Sequence, residues 1–413
     1  MRTGSAPLLA PLLALAILVS APAAAQLGLP PVGPVIGDVL DTTERALDPL
    51  RDTVGDVTRG AARLADARAS RLSNLVRRNR ESMELDADGA PARRGELLLI
   101  GANDTDIAKA RDAGFAPLSH ERLDALEIDV VRLAVPSAMP LAKAQAALRK
   151  LRPDATISAD TLYFQAGAVV ARGTAARAPT AASIDQTVGV IDGAPGATIA
   201  VTATRRFAEG ASASSDHGSA VASILGWAGV RRIVVADVYG ADPAGGNALA
   251  IARGLDWLIG RNIRVVSISL VGPSNPVVAR AVSAAQRRGV YIIAAVGNDG
   301  PAAPPAYPAS YPHVIAVTAV DGRNRALIEA GRAAHLDYAA PGADLLARNA
   351  AGRWVRVRGT SYAVPFVAAR VAAALGSGNI IPTLDREAVD LGRRGVDSVF
   401  GRGLLCQSCA RRK

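Results

Sequence analysis

The chain has 413 residues, half of them hydrophobic and only 4% aromatic, which excludes wholesale disorder and calls for a core built from Ala, Val, Leu and Ile. Its formal net charge of +10 is spread along the chain without an aromatic-plus-basic cluster, so no nucleic-acid partner is expected. Two cysteines exclude a disulfide framework and a four-cysteine zinc site, and four histidines argue against a His-rich metal centre.

Met1–Ala25 reads as a secretory signal: Arg2 is its basic start, Leu8–Val19 its apolar core, and Ala23-Ala24-Ala25 a small-residue cleavage site before Gln26. No later apolar run is long enough to span a bilayer. An exported chain, periplasmic or extracellular and without a membrane span after signal removal, is therefore expected. Residues 26–94 read as a linker and an amphipathic helical segment. Gln26–Pro34 is Pro/Gly-rich, and Ile36, Leu40, Leu47, Leu50, Val54, Val57, Ala61 and Leu64 form the seam of a helix or helix pair divided at Pro49. Acidic residues precede arginines along it, which fits a solvated spacer as well as a self-association or surface-binding helix. Glu81–Arg94 is polar and expected to be loose.

Residues 95–165 have the rhythm of a small α+β unit. Leu97–Gly101 predicts a strand, Asp104–Ala113 a helix stopped by Gly114, and Ala116–Val135 two strands around a turn. Met139–Arg152 predicts a helix with Leu141, Ala144, Leu148 and Leu151 on one face, and Thr156–Phe164 a last strand. The β-α-β-β-α-β order is the split βαβ, ferredoxin-like pattern. Residues 166–183 are rich in Ala, Arg and Gly and read as a linker. From Ile184 the pattern changes. Thr187–Ile191, Ile233–Val238, Val265–Leu270, Val290–Val296 and Val314–Val320 are short, β-branched apolar runs. Such strands are buried on both faces, which predicts an α/β, doubly wound and mostly parallel sheet over 184–405. Asn275 as N-cap, Pro276 at the first position and Gly289 as stop punctuate one crossover helix.

In such sheets ligands sit beyond the strand C-termini. Asp192 follows one predicted strand and Asn298 another, while His217 and Ser361 open helix-like runs. Of the four histidines only His217 has such a place. A serine hydroxyl needs a base to lose its proton while attacking a carbonyl. His217 suits that base, and then the acid for the leaving amine; Asp192 suits the group that holds the imidazole tautomer. Asn298 and the Ser361 backbone N–H suit an oxyanion site.

Gly359-Thr360-Ser361-Tyr362-Ala363-Val364-Pro365 resembles the G-T-S-x-A-x-P signature of subtilisin-like serine proteases, the subtilases of peptidase family S8. His217-Gly218-Ser219-Ala220-Val221-Ala222 resembles their H-G-T-x-V-A, Val190-Ile191-Asp192-Gly193 their V-I-D-[ST]-G, and Ala294-Ala295-Val296-Gly297-Asn298 their A-A-A-G-N. Tyr307-Pro308-Ala309, Ala340-Pro341-Gly342 and Gly401-Arg402-Gly403-Leu404 resemble further family segments in family order. The resemblance implies an exported serine endopeptidase with the triad Asp192, His217 and Ser361, an oxyanion residue Asn298, and polypeptide substrates. It further implies that Ser269, Leu270, Val271 and Gly272 pair with an extended peptide, and that Ala294, Ala295, Val296 and Gly297 wall the primary pocket. The unit at 95–165 resembles the family's N-terminal prodomain, a folding assistant and inhibitor, so the chain's own prodomain is an expected partner. Its chain would run on so that Gln165 and its neighbours lie beside Leu270–Gly272, with a processing point within Gln165–Ser183.

Four departures stand out: Gly193 where the family has Ser or Thr, Val271 where it usually has Gly, and Tyr362 and Phe366 where it usually has Met and His. Gly193 and Val271 keep open a catalytically weak or inactive subtilase-fold peptide-binding protein, and the helical segment keeps open an assembly or surface-interaction module. No cofactor is implied. Family calcium sites are built on surface loops that are short here, and no carboxylate cluster replaces them, so calcium is unassigned. Cys406-Gln407-Ser408-Cys409, in the basic tail 406–413, suits a local disulfide.

Overall fold

The computed structural model describes residues 63–64, 66–172, 181–407 and 409. The export signal, the apolar stripe up to Ala61, the middle of the expected linker and most of the basic tail lie outside those residues. Helix α1 (66–78) is followed by a feature that corrects the expectation of a loose Glu81–Arg94. Strand β1 (Met83–Leu85) pairs antiparallel with the start of β2 (Pro91–Ile100). The turn explains it: Asp86 Oδ1 accepts from the backbone N–H of Asp88 at 2.9 Å and Ala90 at 2.8 Å, and Gly89 takes a φ of 76°. Only Met83 of β1 is buried, too faint a signal to read as periodicity.

The elements α2 (Asp104–Asp112), β3 (Ala116–Leu123), β4 (Ile128–Ala134), α3 (Leu141–Leu151) and β5 (Thr156–Thr161) follow in the order expected. Asn103 and Asp106 form a reciprocal capping box at the start of α2. The strands pair antiparallel in the order β5-β2-β4-β3. The unbroken run Leu97-Leu98-Leu99-Ile100 has a plain cause, since successive strand side chains point to opposite faces and both faces are covered. Leu97 and Leu99 share a cluster with Ala110, Leu141 and Leu148 of the unit's own helices. Leu98 and Ile100 belong with Leu126, Leu255, Leu258 and Val277, on the far side of the sheet.

Those last partners come from the larger half of the molecule. Beyond two short strands, β6 (Phe164–Gln165) and β7 (Ala168–Arg172), lie β8 (Val188–Asp192), β9 (Ala203–Arg206), α4 (Asp216–Trp227), β10 (Ile233–Asp237) and α5 (Ala248–Gly260). Then come β11 (Val265–Ile268), β12 (Leu270–Val271), α6 (Pro276–Arg287), β13 (Tyr291–Ala295), β14 (Ile315–Val320) and β15 (Tyr338–Pro341). The chain ends with β16 (Leu345–Arg348), β17 (Trp354–Arg358), a 3-10 turn (Thr360–Tyr362), α7 (Val364–Ala374) and α8 (Ile380–Glu387). Seven strands form a sheet in the order β15-β14-β13-β11-β8-β10-β9, every pairing parallel. The five apolar runs became β8, β10, β11, β13 and β14. Strand β9 carries Arg205 and Arg206 at the exposed edge and so lacks an apolar run. Asn275 caps α6 with Pro276 in its first turn, as its punctuation predicts.

The expected linker over 166–183 is corrected in its first part. Strand β7 pairs antiparallel with β17, and β6, just ahead of the linker, pairs antiparallel with β12. An Ala/Gly-rich stretch has no periodicity, yet two strand edges satisfy its backbone groups and hold it extended. The small sheet meanwhile rests on α5 and α6. Asn275 Nδ2 lies 2.9 Å from Ser158 Oγ, 3.0 Å from Ala159 O and 2.9 Å from Thr161 Oγ1 of β5. Arg253 makes a bidentate pair with Glu121 at 2.8 and 2.6 Å. Cys406 and Cys409 form a local disulfide. Among the described residues no helix is long and apolar enough to cross a membrane.

Asp160 of β5 is buried in this contact and accepts from Leu249 N at 2.9 Å, in the first turn of α5. Burial pushes its carboxyl up to about 7, with the Leu249 hydrogen bond and Arg93 offsetting part of the rise. The packed state therefore favours the protonated acid, and stability from this group is full below about pH 4 and lost as pH rises through about 7. In chains carrying Ser361→Ala, to exclude self-cleavage, Asp160→Asn should gain in melting temperature relative to the parent as pH rises from 4 to 7. A pH-independent difference would show that packing does not raise the Asp160 carboxyl above its unfolded value.

Candidate active site

Asp192 is the last residue of β8, and His217 lies in the first turn of α4, where Ser215 Oγ accepts from Gly218 N at 3.1 Å as N-cap. His217 Nδ1 is 3.0 Å from Asp192 Oδ1 and 2.9 Å from Oδ2. Asp192 is 0% exposed and His217 6%, so water does not compete for this contact. A carboxylate at Nδ1 selects the tautomer with its proton there and leaves Nε2 as an acceptor. Among the described residues His217 Nε2 has no hydrogen-bond partner.

Asn298 follows β13. Its Oδ1 accepts from Thr360 N at 3.0 Å, which settles the direction of its amide, and its Nδ2 donates to the carbonyl of Ala166 at 2.5 Å. The Ser361 backbone N–H donates to the same carbonyl at 2.9 Å. Gly359 makes room for it. It holds a φ of 139°, and a Cβ there would come within 2.8 Å of both Ala166 O and Gly167 Cα. Two donors thus converge on one carbonyl oxygen of the chain itself.

The expectation that Gln165 and its neighbours lie beside Leu270–Gly272 matches the register: Gln165 faces Leu270 and Phe164 faces Val271. Ala166 N donates to Ser269 O at 3.2 Å, and Tyr163 N to Gly246 O at 2.8 Å. The Tyr163 ring is buried against Gly272 and its hydroxyl donates to Pro273 O at 2.9 Å. Of the expected pocket wall, Val296 and Gly297 line a cavity of about 990 Å³ together with Val271 and Gly272. Ala294 and Ala295 are instead fully buried on opposite faces of β13, one in each of the two large apolar clusters. The far side of that cavity is α1. Arg68 Nε and Arg71 Nη2 reach Asp299 at 3.0 and 2.6 Å, so this arginine-rich helix packs against the site's rim.

One expected contact is absent. Ser361 Oγ donates to Ser269 O at 2.9 Å rather than to His217, while Ser269 Oγ donates to Ser361 O at 2.9 Å. The fully buried hydroxyl is satisfied by the Ser269 carbonyl, which also accepts from Ala166 N. Sequence reasoning missed two further participants. Gln165 Nε2 donates to Asp192 Oδ1 and to Ser215 Oγ, each at 3.1 Å. Tyr362 packs its ring 5.4 Å from that of His217, centroid to centroid, and a Cβ on Gly167 would fall 2.6 Å from Tyr362 Cε2. A glutamine at the end of a small α+β unit carries no signal of its side-chain partner; Tyr362 was visible only as a departure from a motif.

Residues 191–397 match the subtilase family, peptidase S8, over half of the chain. The chain belongs to the subtilase family. It is 31% identical over 205 residues to the minor extracellular protease Epr of Bacillus subtilis (strain 168), covering 46% of this chain and 32% of that protein. It is 35% identical over 150 residues to subtilisin BL of Lederbergia lenta, covering 36% of this chain and 55% of that one. The chain thus spans between about a third and just over half of the length of these curated relatives. In fold it is similar to fervidolysin from Fervidobacterium pennivorans, a keratinolytic enzyme related to subtilisin. The TM-score is 0.64 at 18% identity, over 79% of this chain and 62% of that structure. Against the subtilase pattern, Gly193, Val271 and Tyr362 are the departures that touch the seated segment.

Because Tyr362 leaves no space for a side chain at 167, Gly167→Val should unseat the segment. In Ser361→Ala chains, amide exchange at Gln165 and Ala166 should accelerate at least about tenfold while β8 and β13 stay protected, and Tyr362→Ala should restore protection. Unchanged exchange would show that the segment does not depend on this fit.

Proposed function

We propose that this subtilase is an exported serine endopeptidase that hydrolyses peptide bonds through an acyl-enzyme, and that its first substrate is its own Ala166–Gly167 bond. The observation that carries this reading is the Ala166 carbonyl, held by Asn298 Nδ2 and the Ser361 N–H as an oxyanion would be. Export rests on the Met1–Ala25 signal, and the name of the similar minor extracellular protease Epr agrees with it.

The chemistry assigns Ser361 as nucleophile. A rotamer change frees its hydroxyl from Ser269 O and offers the proton to the unpartnered His217 Nε2. Oγ then bonds to the Ala166 carbon, the C=O pair moves onto the oxygen, and Nε2 takes the proton. Asp192 stabilises the imidazolium without taking that proton. Collapse breaks the C–N bond, and His217 gives its proton to the Gly167 amine. Water, deprotonated by His217, then releases Ala166 as a carboxylate. Residues 95–165, with their ferredoxin-like strand order, act in this reading as the prodomain: they dock on α5 and α6 and lead Tyr163–Ala166 into the cleft. Polypeptides in trans take the same strand position beside Ser269–Gly272.

A second reading, a subtilase-fold protein that binds peptides without cutting them, draws on the Ser361 hydroxyl being turned away from His217. Intact mass separates the two. The wild-type chain should yield a new N-terminus at Gly167 and react with a serine-directed phosphonate, and Ser361→Ala should do neither. Wild-type protein that stays whole and unlabelled supports the binding reading. Asn298→Ala should lower kcat on peptides by about 100–1,000-fold with little change in KM, since the oxyanion forms only after attack.

A further inference from the structure

Asp192 Oδ1 accepts from three donors: His217 Nδ1 at 3.0 Å, the Gly193 backbone N–H at 2.7 Å, and the carboxamide of Gln165 at 3.1 Å. Two of them belong to the enzyme. The third belongs to the segment seated in the cleft, at the position just before the residue whose carbonyl is held. The same Gln165 nitrogen donates to Ser215 Oγ at 3.1 Å. Gly193 is what allows this. A Cβ there would fall 2.5 Å from Ser215 Cβ and 2.8 Å from Ser215 Oγ, so Ser215 could not stay where it now accepts from glutamine. The departure that removed a hydroxyl beside Asp192 has thus left the place of a side-chain donor to the peptide in the cleft.

Resting on the endopeptidase reading, we propose that this enzyme selects glutamine at the position preceding the acyl residue, because that side chain supplies a hydrogen bond to the triad carboxylate that the enzyme itself lacks. Asp192 is fully buried, so a lost donor is not replaced by water. Glutamine's amide group carries two hydrogens, one for Asp192 and one for Ser215. Asparagine is one methylene short of that reach. Methionine matches glutamine in length and donates nothing. Glutamate matches it in shape and sets a carboxylate against the fully buried Asp192, which is repulsive. Gln165 is a positioning residue in this scheme: it acts through Asp192 on the orientation of His217.

The test compares first-order self-cleavage at Ala166–Gly167 in the full chain with Gln165→Met and Gln165→Glu, followed by intact mass after refolding. The same substitutions in a Ser361→Ala background are melted to show that each chain folds. Self-cleavage should slow about tenfold with Gln165→Met and a hundredfold or more with Gln165→Glu. A role in mere space-filling would leave the three nearly equal, because their side chains are of similar size. Should a variant fail to fold, the peptides Tyr-Phe-Gln-Ala-Gly-Ala and Tyr-Phe-Glu-Ala-Gly-Ala, offered to the wild-type chain, decide the matter. A kcat ratio of at least about ten in favour of the glutamine peptide is expected. Equal rates among the variants or equal kcat for the peptides, in a chain that cuts and labels, would overturn the glutamine's role alone. A wild-type chain that neither cuts nor labels would overturn the endopeptidase reading instead.

Discussion

Everything around the site is arranged to hold one carbonyl. The oxygen of Ala166 takes hydrogen bonds from Asn298 and from the Ser361 backbone, and that contact exists only because the chain on either side of it is pinned. Upstream, β6 lies on β12; downstream, β7 lies on β17. An extended segment buried in a cleft must satisfy its backbone groups, and these two strand edges do so from either side of Ala166. Tethering at both ends also makes the encounter intramolecular, so a modest set of hydrogen bonds suffices to keep the segment seated.

The small α+β unit supplies the upstream anchor, and its grip is mainly apolar. Leu98, Ile100, Leu126 and Val130 merge with the residues of α5 and α6 into one cluster. Around that contact run ion pairs, among them Arg93 with Glu209 and Asp242, Arg132 with Glu209, and Arg288 with Glu127. Those at the exposed rim contribute at most about 1 kcal/mol each and mainly fix orientation. Asn275 is different in kind. It caps α6 with its Oδ1 and faces three acceptors of β5 with its Nδ2, all buried, so the small unit satisfies a polar group that would otherwise be orphaned.

The departures from the subtilase pattern are coherent once the seated segment is in view. Gly193 lets Ser215 approach and receive Gln165. Tyr362 presses on Gly167 and on the ring of His217. Val271, bulkier than the usual glycine, stands on the strand that Phe164 faces and lines the cavity beside α1. Gly193, Val271 and Tyr362 thus each meet a residue of 164–167, while Phe366 is buried in the large apolar cluster.

Much of this was legible in one dimension. The apolar runs that became β8, β10, β11, β13 and β14 announce themselves because strands buried on both faces carry few polar residues, Ser267 and Thr318 among them, and the four motif residues stand at element ends, where local signals are strong. Leu97–Ile100 showed a strand but not that its two faces bury against different halves of the molecule. Gln165 could be placed beside Leu270–Gly272 but not its side chain at Asp192, and Ser215 and Tyr362 could not be placed, because these contacts depend on groups far away in sequence. The direction of the Ser361 hydroxyl likewise follows from a neighbouring carbonyl, Ser269 O, that only the folded chain brings near. Periodicity and punctuation are local properties of a sequence, and they determined the elements and the chemical cast. Which donor meets which acceptor is decided by long-range packing, and that includes the seating of the chain's own Ala166 carbonyl between Asn298 and the Ser361 backbone.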